Sequence, residues 1–185
     1  MQLKIKQKKI TFFINKYEIF ENDNLIYTAK SILFSFPKRI IVLNTNQKKV
    51  IELTKAITFI HPEFIINFLN GNNIRLIGKS WIYEYFIIRV PEGEFEIHHQ
   101  KGLKLSIFLN QEQVAEISKN CIKYFNGDEF TINANSSVSK ELLIGICLAW
   151  ELNDFDDDSA TLTFDIGNIG PVKKKEIPNW VPNEE

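Results

Sequence analysis

Leu142-Leu143-Ile144-Gly145-Ile146-Cys147-Leu148-Ala149-Trp150 is the longest apolar run in the chain, and its reading decides the fold. Ser139 suits a helix N-cap, and Glu141 stands in the first turn, where the helix dipole favours an acid. A surface helix shows one apolar stripe, whereas this one is apolar all round and asks to be buried on every side. Nine residues are about half of the ~18 that a membrane span needs, so the cover has to come from the protein itself. A helix with its side chains is ~10 Å across. A β-sheet encloses one only by closing round it, as a barrel wider than the eight-stranded kind that its own side chains fill. The small residues Gly145, Cys147 and Ala149 help the helix to fit. The competing readings are a last strand, or a core helix beside an open sheet.

Upstream of this run the chain supplies the strands. Extended runs fall at 3–6, 11–20, 25–34, 39–43, 49–53, 57–60, 64–69, 74–77, 81–90, 94–98, 103–109, 113–117, 121–124 and 129–132. Turn chemistry separates them at Glu21-Asn22-Asp23-Asn24, Asn44-Thr45-Asn46, Asn70-Gly71-Asn72-Asn73, Pro91-Glu92-Gly93 and Asn126-Gly127-Asp128. A turn every 8–12 residues is the pattern of an antiparallel meander. Twenty-eight Ile and 15 Phe against six Ala point the same way, although 19 Lys against three Arg show that compositional bias also contributes. Val50-Ile51-Glu52-Leu53-Thr54-Lys55 resembles Val114-Ala115-Glu116-Ile117-Ser118-Lys119, 64 positions on, and weaker echoes end at Lys30 and Lys79. The repeat predicts that Lys30, Lys55, Lys79 and Lys119 share a rim.

The expected fold is therefore mainly β, a closed antiparallel barrel around a buried C-terminal helix. Residues 1–152 make the barrel, with the helix at about 139–152. Residues 153–185 form an acidic linker and a Pro- and Trp-containing tail, within which 161–166 reads as one more strand. Phe164, Ile177 and Trp180 would let that tail dock, on its own barrel or on a partner.

This combination resembles the tubby-like barrel superfamily, and within it the LURP-one-related and phospholipid-scramblase-like domains. The resemblance runs from about residue 10 to 152. It is carried by Tyr27-Thr28-Ala29-Lys30, the hairpin 40–55, Ile77-Gly78-Lys79, Glu94-Phe95-Glu96-Ile97, Val114-Ala115-Glu116-Ile117-Ser118-Lys119, Asp128-Glu129-Phe130-Thr131-Ile132 and the terminal apolar helix. It implies twelve strands around a hydrophobic C-terminal helix. Asn46-Gln47 and Gln111-Glu112 depart from the pattern at hairpins that often carry Gly. Tubby domains bind phosphoinositide head groups through basic residues, but those residues do not match one by one here, so the resemblance carries over no site.

The chemistry legible in the residues is sparse. Gly-rich phosphate loops, Gly-x-Ser-x-Gly and His-Glu-x-x-His are all absent, and no catalytic residue, metal site or cofactor is expected. His98 and His99 are neighbours on a strand and point to opposite faces, one to solvent and one inward, so they cannot act as a pair. His61, before Pro62, reads as a strand end. Asp154, Asp156, Asp158 and Asp165 match positions 1, 3, 5 and 12 of a calcium loop, but Ser159 replaces the central Gly and no helix follows, which leaves a solvated acidic linker. Cys121 and Cys147 are isolated core residues. Together with an N-terminus that lacks an apolar signal region, they point to a reducing cytoplasm.

Charge is the remaining signal. The net charge of −1 hides 19 basic and 14 acidic residues over 1–150, against three and nine over 151–185. Residues 1–55 carry 11 Lys+Arg and four acids. Lys4, Lys6, Lys8, Lys9, Lys38, Arg39, Lys48 and Lys49 are the candidate ligand-binding residues, for an anionic lipid head group or another acidic surface. Alternating Lys also serves to blunt an exposed strand edge. Balanced overall charge and scarce Arg argue against nucleic acid. A non-enzymatic binding domain, peripheral at a membrane if the basic residues face lipid, is the leading reading. A protein-interaction module using the tail comes second, and an enzyme with a site at the barrel rim third.

Overall fold

The computed structural model describes residues 1–11, 14–32, 35–59, 61–80, 85–121, 127–154, 174 and 176–183. Twelve strands run in sequence order: β1 (Gln2–Thr11), β2 (Ile14–Glu21), β3 (Asn24–Ile32), β4 (Arg39–Asn44), β5 (Lys49–Lys55), β6 (Glu63–Phe68), β7 (Asn73–Ser80), β8 (Tyr85–Val90), β9 (Gly93–Gln100), β10 (Lys104–Leu109), β11 (Glu112–Cys121) and β12 (Asp128–Ala134). Each pairs antiparallel with its neighbours in sequence, and β1 pairs with β12 from Gln2↔Asn133 to Lys6↔Glu129, which closes the ring. Closure leaves no free edge, so the lysines of β1 blunt none. The helix α1 (Lys140–Asp154) then turns back and fills the barrel. Every residue from Leu142 to Leu152 on it is buried.

Alternation assigns the walls. Leu3, Ile5, Ile19, Ile40, Ile51, Leu53, Phe64, Ile66, Ile97, Ile107, Ile117 and Ile132 face inward and pack with the helix in one core. At Gly145 the helix approaches the wall closely. A Cβ there would lie 2.9 Å from Ile66 Cδ1, so any larger side chain meets the wall. Hairpin turns are tight and bend through positive φ at Asn22 and Asp23, at Gln47, and at Asn110 and Gln111. Gln47 and Gln111 belong to the two hairpins at which the sequence departs from a pattern that often carries Gly. They adopt the left-handed region without it, a local cost that Asn bears better than Gln.

Two of the expected strand runs are corrected. The run expected at 57–60 is not a strand over its described part, 57–59: Ile57 and Phe59 are 60% and 95% exposed in the loop between β5 and β6. There the Thr58 hydroxyl donates to the His61 carbonyl (2.5 Å), Ala56 N–H donates to Glu63 O (2.8 Å), and Pro62 has no N–H for a ladder. The single run expected at 11–20 is instead the last residue of β1 and most of β2, with Thr11 paired antiparallel to Ile14; residues 12 and 13 lie outside the described residues. Cys121 ends β11, and 122–124 lie outside the described residues. So do the calcium-loop spacing from 155 onward and the strand expected at 161–166.

Filling the barrel with the helix makes the core sensitive from both sides. Leu148→Ala should cost about 2–5 kcal/mol of unfolding free energy in a urea titration. Gly145→Leu should also destabilise, although it adds apolar area, because the wall at Ile66 leaves no room.

Candidate functional site

The odd-numbered strands end at one mouth of the barrel, and the C-terminus of α1 arrives there. This end carries a buried polar cluster that sequence patterning did not announce. Lys119 of β11 points inward. Its ammonium lies 3.1 Å from Glu151 Oε2 and 3.3 Å from Asp128 Oδ2, and over the rings of Phe130 and Trp150 at 5.5 and 5.9 Å. Gln7 Nε2 donates to the other Glu151 oxygen (2.9 Å), while Gln7 Oε1 accepts from Asp128 N–H (2.9 Å). Burial above all, and then the Glu151 carboxylate, push the Tyr17 hydroxyl well up, so it stays neutral. Across the mouth Lys55 of β5 also turns inward, over Phe64 at 5.7 Å and within 3.5 Å of Asn153 Oδ1. The last turn of α1 has no basic residue of its own, so these wall lysines supply the positive charge that its dipole favours.

The rim expected for four lysines is thus half present. Lys55 and Lys119 sit on strands six apart in the twelve-membered ring, half a turn from each other, and both point in. Lys30 and Lys79 stand at the same end but on the outer face, exposed. The internal repeat had the register right and could not give the facing of the weaker echoes.

At the opposite mouth α1 begins. Leu142 N–H donates to the Ser139 hydroxyl (3.3 Å), as an N-cap should, and the Tyr27 hydroxyl donates to Glu141 (2.7 Å). Burial first, and then Glu141, raise the Tyr27 hydroxyl. A cavity of about 1200 Å³ opens beside this cap, lined by Val50, Phe68, Ile74, Val90, Phe95 and Leu142 among others.

The outer wall divides into two faces. On β1–β5 the register places the candidate residues together with two that the sequence reading missed. One row runs Lys8↔Lys16↔Lys30↔Ile41, the next Lys6↔Glu18↔Thr28↔Leu43↔Lys49, and Arg39 stands beyond Ile41. Lys6, Lys8, Lys16, Lys30, Arg39 and Lys49 are exposed. Lys8 pairs with Glu18 (2.5 Å), Lys49 and Arg39 share Glu52 (2.6 and 3.8 Å), Lys4 reaches Asp23 (3.3 Å), and Lys6 lies over Phe20. Among the described residues, no carboxylate lies within ion-pair distance of Lys16 or Lys30. Lys38 precedes β4, and Lys48 lies in the turn at the other mouth, so these two are not brought together. Lys9 falls in β1, its side chain outside the described residues. Lys16 and Lys30 could have been found by pairing β1, β2 and β3 in register, since each is the outward residue opposite the last.

On β8–β11 the outer wall is covered. Lys174 forms an ion pair with Glu96 and lies over Phe108. Ile177 N–H donates to Gln113 Oε1 (2.9 Å), and the Trp180 indole N–H donates to the Gln113 carbonyl (3.1 Å). Ile177 and Trp180 therefore lie against the barrel's own wall; Phe164 lies outside the described residues. His99 faces inward to Trp150 (5.9 Å). His98, expected at solvent if its neighbour faced in, is on the outer wall and yet only 4% exposed, stacked on Tyr85 at 4.6 Å. It reaches Glu96 at 3.3 Å, but the same carboxylate also holds Lys174 and accepts from Tyr85 (3.2 Å). Partial burial pushes the Glu96 carboxyl up; Lys174, His98 and Tyr85 outweigh it and hold it below the ordinary range. Burial, then Glu96, push the Tyr85 hydroxyl up to about 12.

In comparisons with known proteins, a protein-family model described as LURP-one-related matches residues 1–151. The match takes in β1, which the resemblance from about residue 10 had left out. No curated protein and no solved structure matches the chain.

Two predictions follow from these clusters. Lys119→Met leaves Glu151 and Asp128 without their cation and should cost about 3–5 kcal/mol in urea unfolding, much of it regained in Lys119→Met/Glu151→Leu. Because the Glu96 carboxyl is lowered, its contribution to holding Lys174 is full above the ordinary carboxylate value and is lost as pH falls through the lower one. The Ile177 amide should exchange faster, relative to its intrinsic rate, below about pH 4, and Glu96→Gln should flatten that dependence.

Proposed function

We propose that this chain, which belongs to the LURP-one-related family, is a non-enzymatic binding domain whose outer face over β1–β5 docks on an anionic surface, a bilayer leaflet carrying acidic head groups. One observation supports this reading most: Lys8, Lys16 and Lys30 stand directly opposite one another on three adjacent strands. Like charges so placed oppose pairing, and the exposed ion pair of Lys8 with Glu18 offsets little of that. Closure of the barrel also removes edge protection as their purpose. With Lys6, Arg39 and Lys49 beside them they make a broad cationic patch tempered by Glu18 and Glu52. Lysine is suited to this task, as a compact point charge on a long flexible stem that meets head groups without fixed geometry. Each contributes about 1 kcal/mol near an anionic leaflet, over a range set by the Debye length, so binding should weaken with salt. Among the described residues no helix is long and apolar enough to cross a membrane, so attachment in this reading is electrostatic.

Co-sedimentation with phosphatidylserine-containing and phosphatidylcholine vesicles tests the proposal. The chain should pellet with the former at low salt and be released at high salt. Lys8→Gln/Lys16→Gln/Lys30→Gln should lower partitioning by about 100-fold, roughly 3 kcal/mol, while leaving the melting temperature equal or higher. Equal, negligible pelleting with both vesicles would sink the reading.

A further inference from the structure

We propose that the outer wall of β9–β11 is a recognition site for an extended peptide bearing a Lys and, six residues later, a Trp, and that Lys174 and residues 176–183 occupy it as an internal ligand. Outward side chains of a barrel in water are expected to be exposed and polar. Here His98, Gln100, Ser106, Phe108 and Gln113 face outward and are each 1–6% exposed.

The wall reads the main chain of what lies on it. Gln100 Nε2 donates to the Lys174 carbonyl (2.9 Å) and Gln113 Oε1 accepts from Ile177 N–H (2.9 Å); beyond the wall, just after β12, Asn135 Oδ1 accepts from Asn183 N–H (2.8 Å). Backbone bonding of this sort is how sheet edges capture peptides. A closed barrel has no edge to offer, and side-chain amides on its wall take over the task. Two side chains add selectivity. Lys174 sits between the Glu96 carboxylate and the Phe108 ring, and the Trp180 indole donates to the Gln113 carbonyl.

An independent observation indicates that the site is not tailored to this occupant. Gln113 Nε2 is buried without a hydrogen-bond partner, a donor that the chain's own segment leaves unused. A peptide placing a carbonyl or hydroxyl there would gain a bond that Lys174 and residues 176–183 do not make. The occupant is also separable from the barrel along the chain: it lies beyond the family match at 1–151 and is joined to α1 through residues 155–173. An occupant joined covalently to its site competes as an intramolecular ligand, so the wall should take up free peptide more weakly while that occupant is attached. The proposal uses none of the basic face.

The probe is a labelled synthetic peptide, Lys-Lys-Glu-Ile-Pro-Asn-Trp-Val-Pro-Asn, the sequence of 174–183. It is titrated by fluorescence anisotropy into the full wild-type chain and into a full-length chain whose residues 174–183 are replaced by a Gly-Ser sequence of equal length. Lys174→Ala/Trp180→Ala serves in place of the replacement should that fail to fold, as read by circular dichroism. The peptide should bind the emptied chain at least tenfold more tightly than wild type. Adding Glu96→Ala and Gln113→Ala to the emptied chain should remove that gain. Binding to neither chain, equal binding to both, or binding that survives the wall substitutions would each overturn the proposal.

Discussion

Everything in this fold answers to one requirement, that α1 be covered on every side. Burying a large aliphatic side chain is worth about 1.5–3 kcal/mol, and the helix presents such side chains around its whole circumference. No flat sheet could cover more than one of its faces. A ring of twelve strands does so, and the closing pair β1–β12 makes the first and last strands of the chain neighbours. The ring is just wide enough: Gly145 meets Ile66 at a distance that admits no further carbon. A helix inside a sheet still has ends with unpaired backbone groups. Ser139 satisfies one end, and Lys55 and Lys119 lend charge to the other, on strands half a turn apart.

Enclosure also fixes where function has room to sit. The helix occupies the barrel axis with every residue from Leu142 to Leu152 buried, so the described surfaces open to a ligand are the two mouths and the outer wall. The wall is not uniform. Over β1–β5 it carries exposed lysines in register, and over β8–β11 it carries amides, an aromatic ring and a carboxylate beneath Lys174 and residues 176–183. Charge on the first face acts at a distance and is indifferent to geometry. The polar groups of the second are aimed at individual backbone atoms and work only on contact.

The sequence reading failed where local chemistry and tertiary demand diverged. The run at 57–60 has strand composition, but no neighbouring strand awaited it, and local bonds around Thr58, His61 and Pro62 made a loop. The antiparallel pairing of β1 with β2 went unseen because no turn residue stands between Thr11 and Ile14 in the sequence. His98 obeyed strand alternation and faced outward as it should; alternation could not say that Lys174 and residues 176–183 would cover that wall. Lys16 went unnamed and Lys30 was read only as a rim residue, because neither belongs to a dense basic run; only pairing three strands in register sets them in one row with Lys8.

What the sequence determined by itself was the class of solution. An all-round apolar helix of nine core residues, preceded by strand-length runs with turn chemistry between them, admits few arrangements other than a barrel closed around it, because apolar area must leave water and backbone groups must be paired. What only the tertiary structure decided was which outward residues are solvent-facing and which are contacts. That depends on register and on where Lys174 and residues 176–183 lie, long-range quantities that bring Lys16 beside Lys30 and Glu96 beside Lys174 across 14 and 78 positions of chain, with no trace in local pattern.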